Sequence, residues 1–140
     1  MKNKKIKIVL GLIILISIAV TVGWLQYNKP HVDVYNEKAD YILSADRLIS
    51  DYSTDEMAAD KKYVSKIVEI KGNVSSVSGS NGNGAVTFAI QGYETGITCN
   101  FQSNENIKVV KLKTNQSVTV KGICTGMLLD VMMKECVVVE

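Results

Sequence analysis

Hydrophobic and polar residues follow three rhythms along this chain. From Ile8 to Leu25 (IVLGLIILISIAVTVGWL) the sequence is apolar and carries no charge. At 1.5 Å rise per residue, that run predicts a helix about 27 Å long, close to the hydrocarbon thickness of a bilayer. Ile8, Leu10, Leu12, Ile14, Ile16, Val20, Trp24 and Leu25 mark its candidate lipid-facing surface. The second rhythm has a period of three to four. Ala39, Ile42, Leu43, Leu48, Ile49 and Tyr52 recur at helical spacing and predict an amphipathic helix over Lys38–Tyr52. Ser53 or Thr54 then caps a second short helix reaching about Tyr63, with Asp55 and Glu56 in its first turn and Met57, Ala58 and Tyr63 facing inward.

After Tyr63 the period becomes two. Val64–Ser78 reads as a long first strand, with Gly72 marking a bulge or sharp coil. SGSNGNG at Ser78–Gly84 is a turn, and Ala85–Gln91 a second strand with Val86, Phe88 and Ile90 on one face. Gly92–Gly96 turns into a third strand carrying Ile97, Cys99 and Phe101 on one side. Asn104–Lys113 is a short helix with Ile107, Val110 and Leu112 as its apolar side. Val118, Val120, Gly122 and Cys124 define a fourth strand, and Leu129–Val139 a fifth. Five strands with a helix between the third and fourth is the order of an OB-fold barrel. The expected architecture is therefore mainly β: a five-stranded OB-fold barrel, preceded by a helical pair and an N-terminal transmembrane helix. Its expected parts are residues 1–27 (lysine-rich tip and anchor), 28–37 (connector with Pro30 and His31), 38–63 (helical pair) and 64–140 (barrel).

Charge sharpens the membrane reading. The net charge of +2 conceals Lys2, Lys4, Lys5 and Lys7 ahead of the apolar run, and beyond it 12 basic residues stand against 14 acidic ones. The lysine bias holds the N-terminus in the cytoplasm and places the following domain outside, with Trp24 and Tyr27 at the far interface. Small residues at Ser17-Ile18-Ala19 offer the rival reading of a cleaved signal. The apolar run continues through Val20–Leu25, however, where a cleavage region turns polar. An uncleaved single-pass anchor in the cell membrane is the expectation.

Tyr52–Glu56, Ala59-Asp60-Lys61-Lys62-Tyr63, Lys66–Gly72 and Val74 resemble the start of the tRNA-anticodon-like OB-fold family of bacteria. The closing pattern is more specific: Leu112-Lys113, Val118-Thr119-Val120-Lys121-Gly122, Cys124-Thr125-Gly126, Asp130-Val131 and Cys136. Together they span about Asp40–Val138. The resemblance implies an OB barrel after a helical pair, carried by a lipid or membrane anchor, and implies no particular activity. No cysteine lies near the apolar segment, so the lipid-anchored form is not matched.

The three cysteines, Cys99, Cys124 and Cys136, all fall on strands. Cys99 and Cys124 point inward by parity, and a bulge near Lys134-Glu135 turns Cys136 inward too. Cys124 with Cys136 is the candidate disulfide, closing a loop worth on the order of 2–3 kcal/mol. A turn centred on Met127 and Leu128 would instead set Cys124 opposite Val131. Pairing of Cys99, or three reduced core thiols, stay open as alternatives. The spacing lacks the close cysteine pair and fourth ligand of a zinc site, and no cofactor is expected.

OB barrels bind on the face of their second and third strands and the adjoining loops. Thr87, Gln91, Tyr93, Thr98, Asn100 and Gln102 form the candidate binding face here, with Ala89 among them. These small polar residues suit an unknown protein, peptide or envelope glycan. Single-stranded nucleic acid needs exposed aromatics and a basic groove. Phe88 and Phe101 point inward, and Lys108, Lys111, Lys113 and Lys121 are interspersed with acidic residues, so that partner is disfavoured. A helix-mediated assembly role is the remaining non-enzymatic alternative. For an enzyme, His31 is the sole histidine and Glu69 and Asp130 are the strand-borne carboxylates; nothing in the pattern joins them, and no enzymatic activity is expected. The glycine run lacks the Gly-Lys-Ser/Thr that completes a phosphate loop.

Overall fold

The computed structural model describes residues 2–27, 32–80 and 83–139. The chain divides into two compact units, residues 1–32 and 33–140. The connector residues Pro30 and His31, and the turn residues Asn81 and Gly82, lie outside the described set.

In the first unit, α1 (Lys2–Tyr27) is one uninterrupted helix. Its Ile6–Tyr27 stretch has a mean hydropathy of 2.7 and none of it is buried against protein, so it is long and apolar enough to cross a membrane. Ser17 and Thr21 donate their hydroxyls back to the carbonyls of Ile13 and Ser17, which satisfies both polar groups within the helix.

The second unit opens with a correction. Tyr41–Ser44 is not helical but a short strand, β1, running parallel to β2 (Ile67–Asn73). Helix α2 (Ala45–Thr54) starts only after Ser44, whose Oγ accepts the Arg47 N–H at 3.2 Å as an N-cap. Its inward face is Ala45, Leu48, Ile49 and Tyr52, so the helical period is genuine but begins later than expected. Asp55, not Ser53 or Thr54, separates the two helices. It ends α2 and caps α3 (Glu56–Tyr63), accepting the Ala58 N–H at 3.0 Å. Ala59 and Tyr63 are the buried residues of α3, whereas Met57 and Ala58 face outward.

The long first strand is broken in two. β2 is followed after Val74 and Ser75 by β3 (Ser76–Ser80), which pairs with β4 (Asn83–Ala89). These strands run further into the glycine-rich segment than the turn chemistry suggests, pairing Gly79 with Gly84. β4 ends two residues before Gln91. β5 (Gly96–Phe101), β6 (Ser117–Met127) and β7 (Val131–Val139) complete a seven-stranded sheet of order β1-β2-β6-β7-β5-β4-β3. It is mainly β and does not close into the expected five-stranded barrel. Its strand order is nonetheless OB-like: the split first strand lends β2 to one edge region and β3 to the other, and β5 meets β7 in parallel. The segment between β5 and β6 is a 3-10 turn (Ser103–Glu105) leading into α4 (Asn106–Val109). Here the buried residues are Glu105 and Val109, while Ile107 and Val110 point to solvent.

One core fills the sheet's inner face. Val68, Ile70, Val86, Phe88, Ile97, Cys99, Val120, Cys124, Val131, Met133 and Cys136 are fully buried there, covered by α2 and α3. Gly72 permits the cover: a Cβ at this position would sit 2.8 Å from the Ala45 Cβ and 3.0 Å from the Phe88 ring. At the other end, Glu135 adopts φ 53° in a bulge that turns Cys136 into the core, as the sequence led us to expect.

Candidate functional site

The outer face of β3, β4, β5 and β7 is built by strand alternation. Where Val77, Val86, Cys99 and Met133 point inward, their neighbours point out. Register sets these neighbours in rows: Ser76, Thr87, Thr98 and Met132 form one, and Ser78, Ala85 and Asn100 the next. The result is a strip of short hydroxyl and amide groups without an aromatic ring, with Ala85 and Met132 as its apolar members.

Asp130, just ahead of β7, fixes one end of this strip. Its Oδ1 accepts the Gly96 N–H at 2.9 Å and its Oδ2 accepts the Thr98 hydroxyl at 3.1 Å. One carboxylate thus satisfies a buried glycine amide at the start of β5 and orients a threonine of the strip. Asn100 donates its amide to the Met133 carbonyl at 3.5 Å, tying the strip across β5 and β7.

The candidate residues therefore separate. Thr87, Thr98 and Asn100 share the face. Gln102 lies past the end of β5, half-buried, with its amide donating to the Glu135 carbonyl at 3.5 Å. Gln91 and Tyr93 belong to the β4–β5 turn, not the face, because β4 stops at Ala89. Gln91 lines a groove of about 450 Å³ with Ser44, Asp46, Lys71, Asn73 and Ser117. Ser76 and Ser78 complete the rows but were absent from the sequence-derived set. Their alternation with Val77 was the available signal, masked by reading Ser78 as turn. Of the two carboxylates expected on strands, Glu69 sits on β2 in register with Lys121, whereas Asp130 lies in the β6–β7 turn with its carboxylate engaged by Gly96 and Thr98 of β5, so they form no pair.

A second concavity, about 350 Å³, is lined by Tyr35, Lys108, Lys121 and Val137–Val139. Its cations are already engaged. Lys121 donates to the carbonyls of Tyr35 and Glu37 at 3.0 and 2.8 Å, and Lys108 lies 3.5 Å from Glu105. Glu105, only 5% exposed, accepts the Val138 N–H at 3.1 Å and so caps the edge of β7 beyond the end of β5. Two of the lysines that look clustered in sequence are thus engaged within the protein.

The cysteines correct a further expectation. All three are free and buried. Cys124 stands opposite Met133 in the β6–β7 register, and its Sγ lies 3.4 Å from the Tyr52 hydroxyl, so it does not bridge to Cys136. Cys136 Sγ instead occupies the space above Gly122, and the Cys99 thiol donates to the Met133 sulfur at 3.9 Å. Burial pushes the thiols of Cys124 and Cys136 up, which keeps both protonated and unreactive. Among the described residues no three His, Cys, Asp or Glu side chains gather to hold a metal ion.

Known proteins place this architecture. A sequence profile described as tRNA_anti-like matches residues 1–137. The chain belongs to the tRNA_anti-like family. No curated protein matches it by sequence. Among solved structures, a lipoprotein of Klebsiella pneumoniae proposed to bind nucleic acid superposes with a TM-score of 0.60 at 19% identity, over 71% of this chain and 91% of that one. A proposed aspartyl-tRNA synthetase of Leishmania major gives 0.51 at 12% identity, over 87% of this chain and 26% of that one. At these identities the likeness of this tRNA_anti-like chain to both is one of fold alone.

Proposed function

We propose that this tRNA_anti-like chain is a membrane-anchored, extracytoplasmic binding module whose outer β3–β4–β5–β7 face takes a polar, non-aromatic chain: a peptide segment of a protein, or an envelope glycan. The observation that carries this reading is the pair of in-register rows, Ser76-Thr87-Thr98 and Ser78-Ala85-Asn100. Short hydroxyl and amide groups on rigid strands offer hydrogen bonds at little cost in side-chain entropy. α1, with four lysines on its N-terminal side, supports an anchor that leaves the second unit outside. The name of the Klebsiella neighbour makes single-stranded nucleic acid the competing ligand. Against it stand the absence of any aromatic ring from the rows and the engagement of Lys108 and Lys121 within the protein.

Photo-crosslinking residues placed at Thr87 and at Asn100 in the full chain, in intact cells, test the reading, with Lys111 as a control position. Adducts from the two strip positions that external protease or glycosidase degrades, and none from Lys111, are expected. Retention of the detergent-solubilised chain on immobilised oligothymidylate, lost on replacing Thr87 by Asp, whose charge repels phosphate, would overturn it in favour of nucleic acid. Protection of the second unit from external protease would overturn the orientation.

A further inference from the structure

A sheet that does not close has two end strands, each with N–H and C=O groups turned away from the ladder. Here they are β1 and β3, and the exposed edges are treated differently. β1 is four residues long and leads straight into α2. The end of β7 that outruns β5 is capped by Glu105, which accepts the Val138 N–H at 3.1 Å. β3 (SVSGS) has no such protection. It carries no charge and no proline, and among the described residues no strand lies beyond it. In an antiparallel ladder alternate residues turn their amides and carbonyls away from the partner, so β3 presents a row of donors and acceptors that fits another extended chain.

We propose that a second copy of this chain occupies that edge, β3 against β3 about a two-fold axis at Ser78. The edge matches its own image. An antiparallel pair centred on Ser78 sets Val77 of one copy opposite Gly79 of the other. Val77 is half-buried on the inner face, and Gly79 shares that face with open space beside it, since a Cβ there would meet nothing within 4 Å. Each valine fills the gap beside the other copy's glycine. The remaining pairs are serine on serine, small and uncharged, so nothing on the edge repels a second copy. α4 adds apolar area on the inner side. Its Asn106 and Val109 face Gly84 of β4, while Lys108 reaches toward Val137–Val139. The helical step puts Ile107 and Val110 on the flank away from Lys108, toward β3, where they are 70% and 65% exposed. A two-fold axis through the sheet keeps both α4 segments on one side, so these apolar residues face one another across the joined strands. The contact is small beside the roughly 800 Å² per partner of a standard interface, and the pairing is a reversible one. It is independent of what the outer face binds, but it carries the row Ser78-Ala85-Asn100 of one copy on into the same row of the other.

A cysteine on the axis reports the pairing, because the three native thiols are buried. In the full chain, Ser78→Cys places two thiols on directly opposed residues, whose Cα atoms stand about 4.5–5.5 Å apart and within disulfide reach. Asn100→Cys lies two strands further in, so its thiols stay about 24 Å apart in the same dimer. A homogenate of expressing cells is oxidised with copper phenanthroline and run on a non-reducing gel. Ser78→Cys should give a disulfide-linked dimer, Asn100→Cys none, and adding Gly79→Lys to Ser78→Cys should abolish the band. The lysine has room in a single copy but sets a charge against Val77 of the other; circular dichroism matching that of the parent verifies that this variant folds. Absence of the Ser78→Cys dimer, an equal dimer from Asn100→Cys, or a dimer from the folded Gly79→Lys variant as strong as without it would overturn the proposal. An adduct of Ser78→Cys with a different protein would mean that a foreign strand holds the edge, which overturns it too.

Discussion

Replacing Asp130 is the sharpest probe of how the strip is held. Asp130→Ala removes the acceptor of the buried Gly96 N–H and the partner of the Thr98 hydroxyl. An unpaired buried N–H costs about 1–3 kcal/mol, and a bond to a charged acceptor contributes about 1.5–3 kcal/mol. Asp130 is itself half-buried, so water recovers part of that loss. The net expectation is a destabilisation of about 2–3 kcal/mol. For the 108 residues of Asp33–Glu140, this lowers Tm by about 10 °C. Asp130→Asn keeps a carbonyl for Gly96 and offers an N–H to the Thr98 oxygen, losing only the charge, at about 1 kcal/mol. Trp24 lies in α1 and is blind to this unit, so near-ultraviolet circular dichroism of the buried tyrosines Tyr52 and Tyr63 is the suitable signal. Urea unfolding of the detergent-solubilised chain would give both values. An alanine variant within 0.5 kcal/mol of the parent, or an asparagine variant as unstable as alanine, would refute the role given to this carboxylate.

Two further outcomes follow from packing and titration. Gly122→Ala places a methyl 2.5 Å from Cys136 Sγ and should cost about 1–3 kcal/mol. Combined with Cys136→Ala the loss should be smaller than the sum of the two single losses by about 1 kcal/mol, as a double-mutant cycle would measure; strict additivity would contradict the geometry. Asp51 receives the Tyr63 hydroxyl at 2.6 Å, and that bond, with Lys62 and Arg47 alongside, holds its carboxyl below the ordinary value of 3.8. A depressed native value contributes stability that is present at neutral pH and lost as the pH falls through and below about 4. Asp51→Asn should therefore lower urea stability at pH 7 by about 1 kcal/mol and flatten the acid limb of the stability–pH curve.

Most of the sheet was legible because alternation survives in a half-buried strand. Val118, Val120, Gly122 and Cys124 read inward and are inward. Tyr41–Ser44 misled because four residues cannot display a period, and Ile42 and Leu43 fit the helical pattern of α2 by accident of spacing. The α4 face failed for a related reason. One helical turn has no repeat to read, and the buried members are Val109 and, just ahead of α4, Glu105, whose burial depends on the Val138 N–H brought from far along the chain and on Lys108 one turn on. On the strip, Thr87, Thr98 and Asn100 were found by parity, whereas the contribution of Asp130 was hidden in a register between β5 and β7 that joins distant segments. The expected Cys124–Cys136 bridge is not formed because the hairpin sets Cys124 opposite Met133, three residues short of Cys136, whose Sγ lies over Gly122 instead.

The connection into the second unit has a mechanical consequence. Val34 is fully buried with Ile67 and Val137, and Lys121 grips the carbonyls of Tyr35 and Glu37. A pull on the chain from its N-terminal side would meet this plug before it reached β1. The load would pass into the middle of β6 and the end of β7, two long antiparallel strands paired along most of their length. Tension would then have to shear a whole ladder at once instead of unzipping an edge bond by bond.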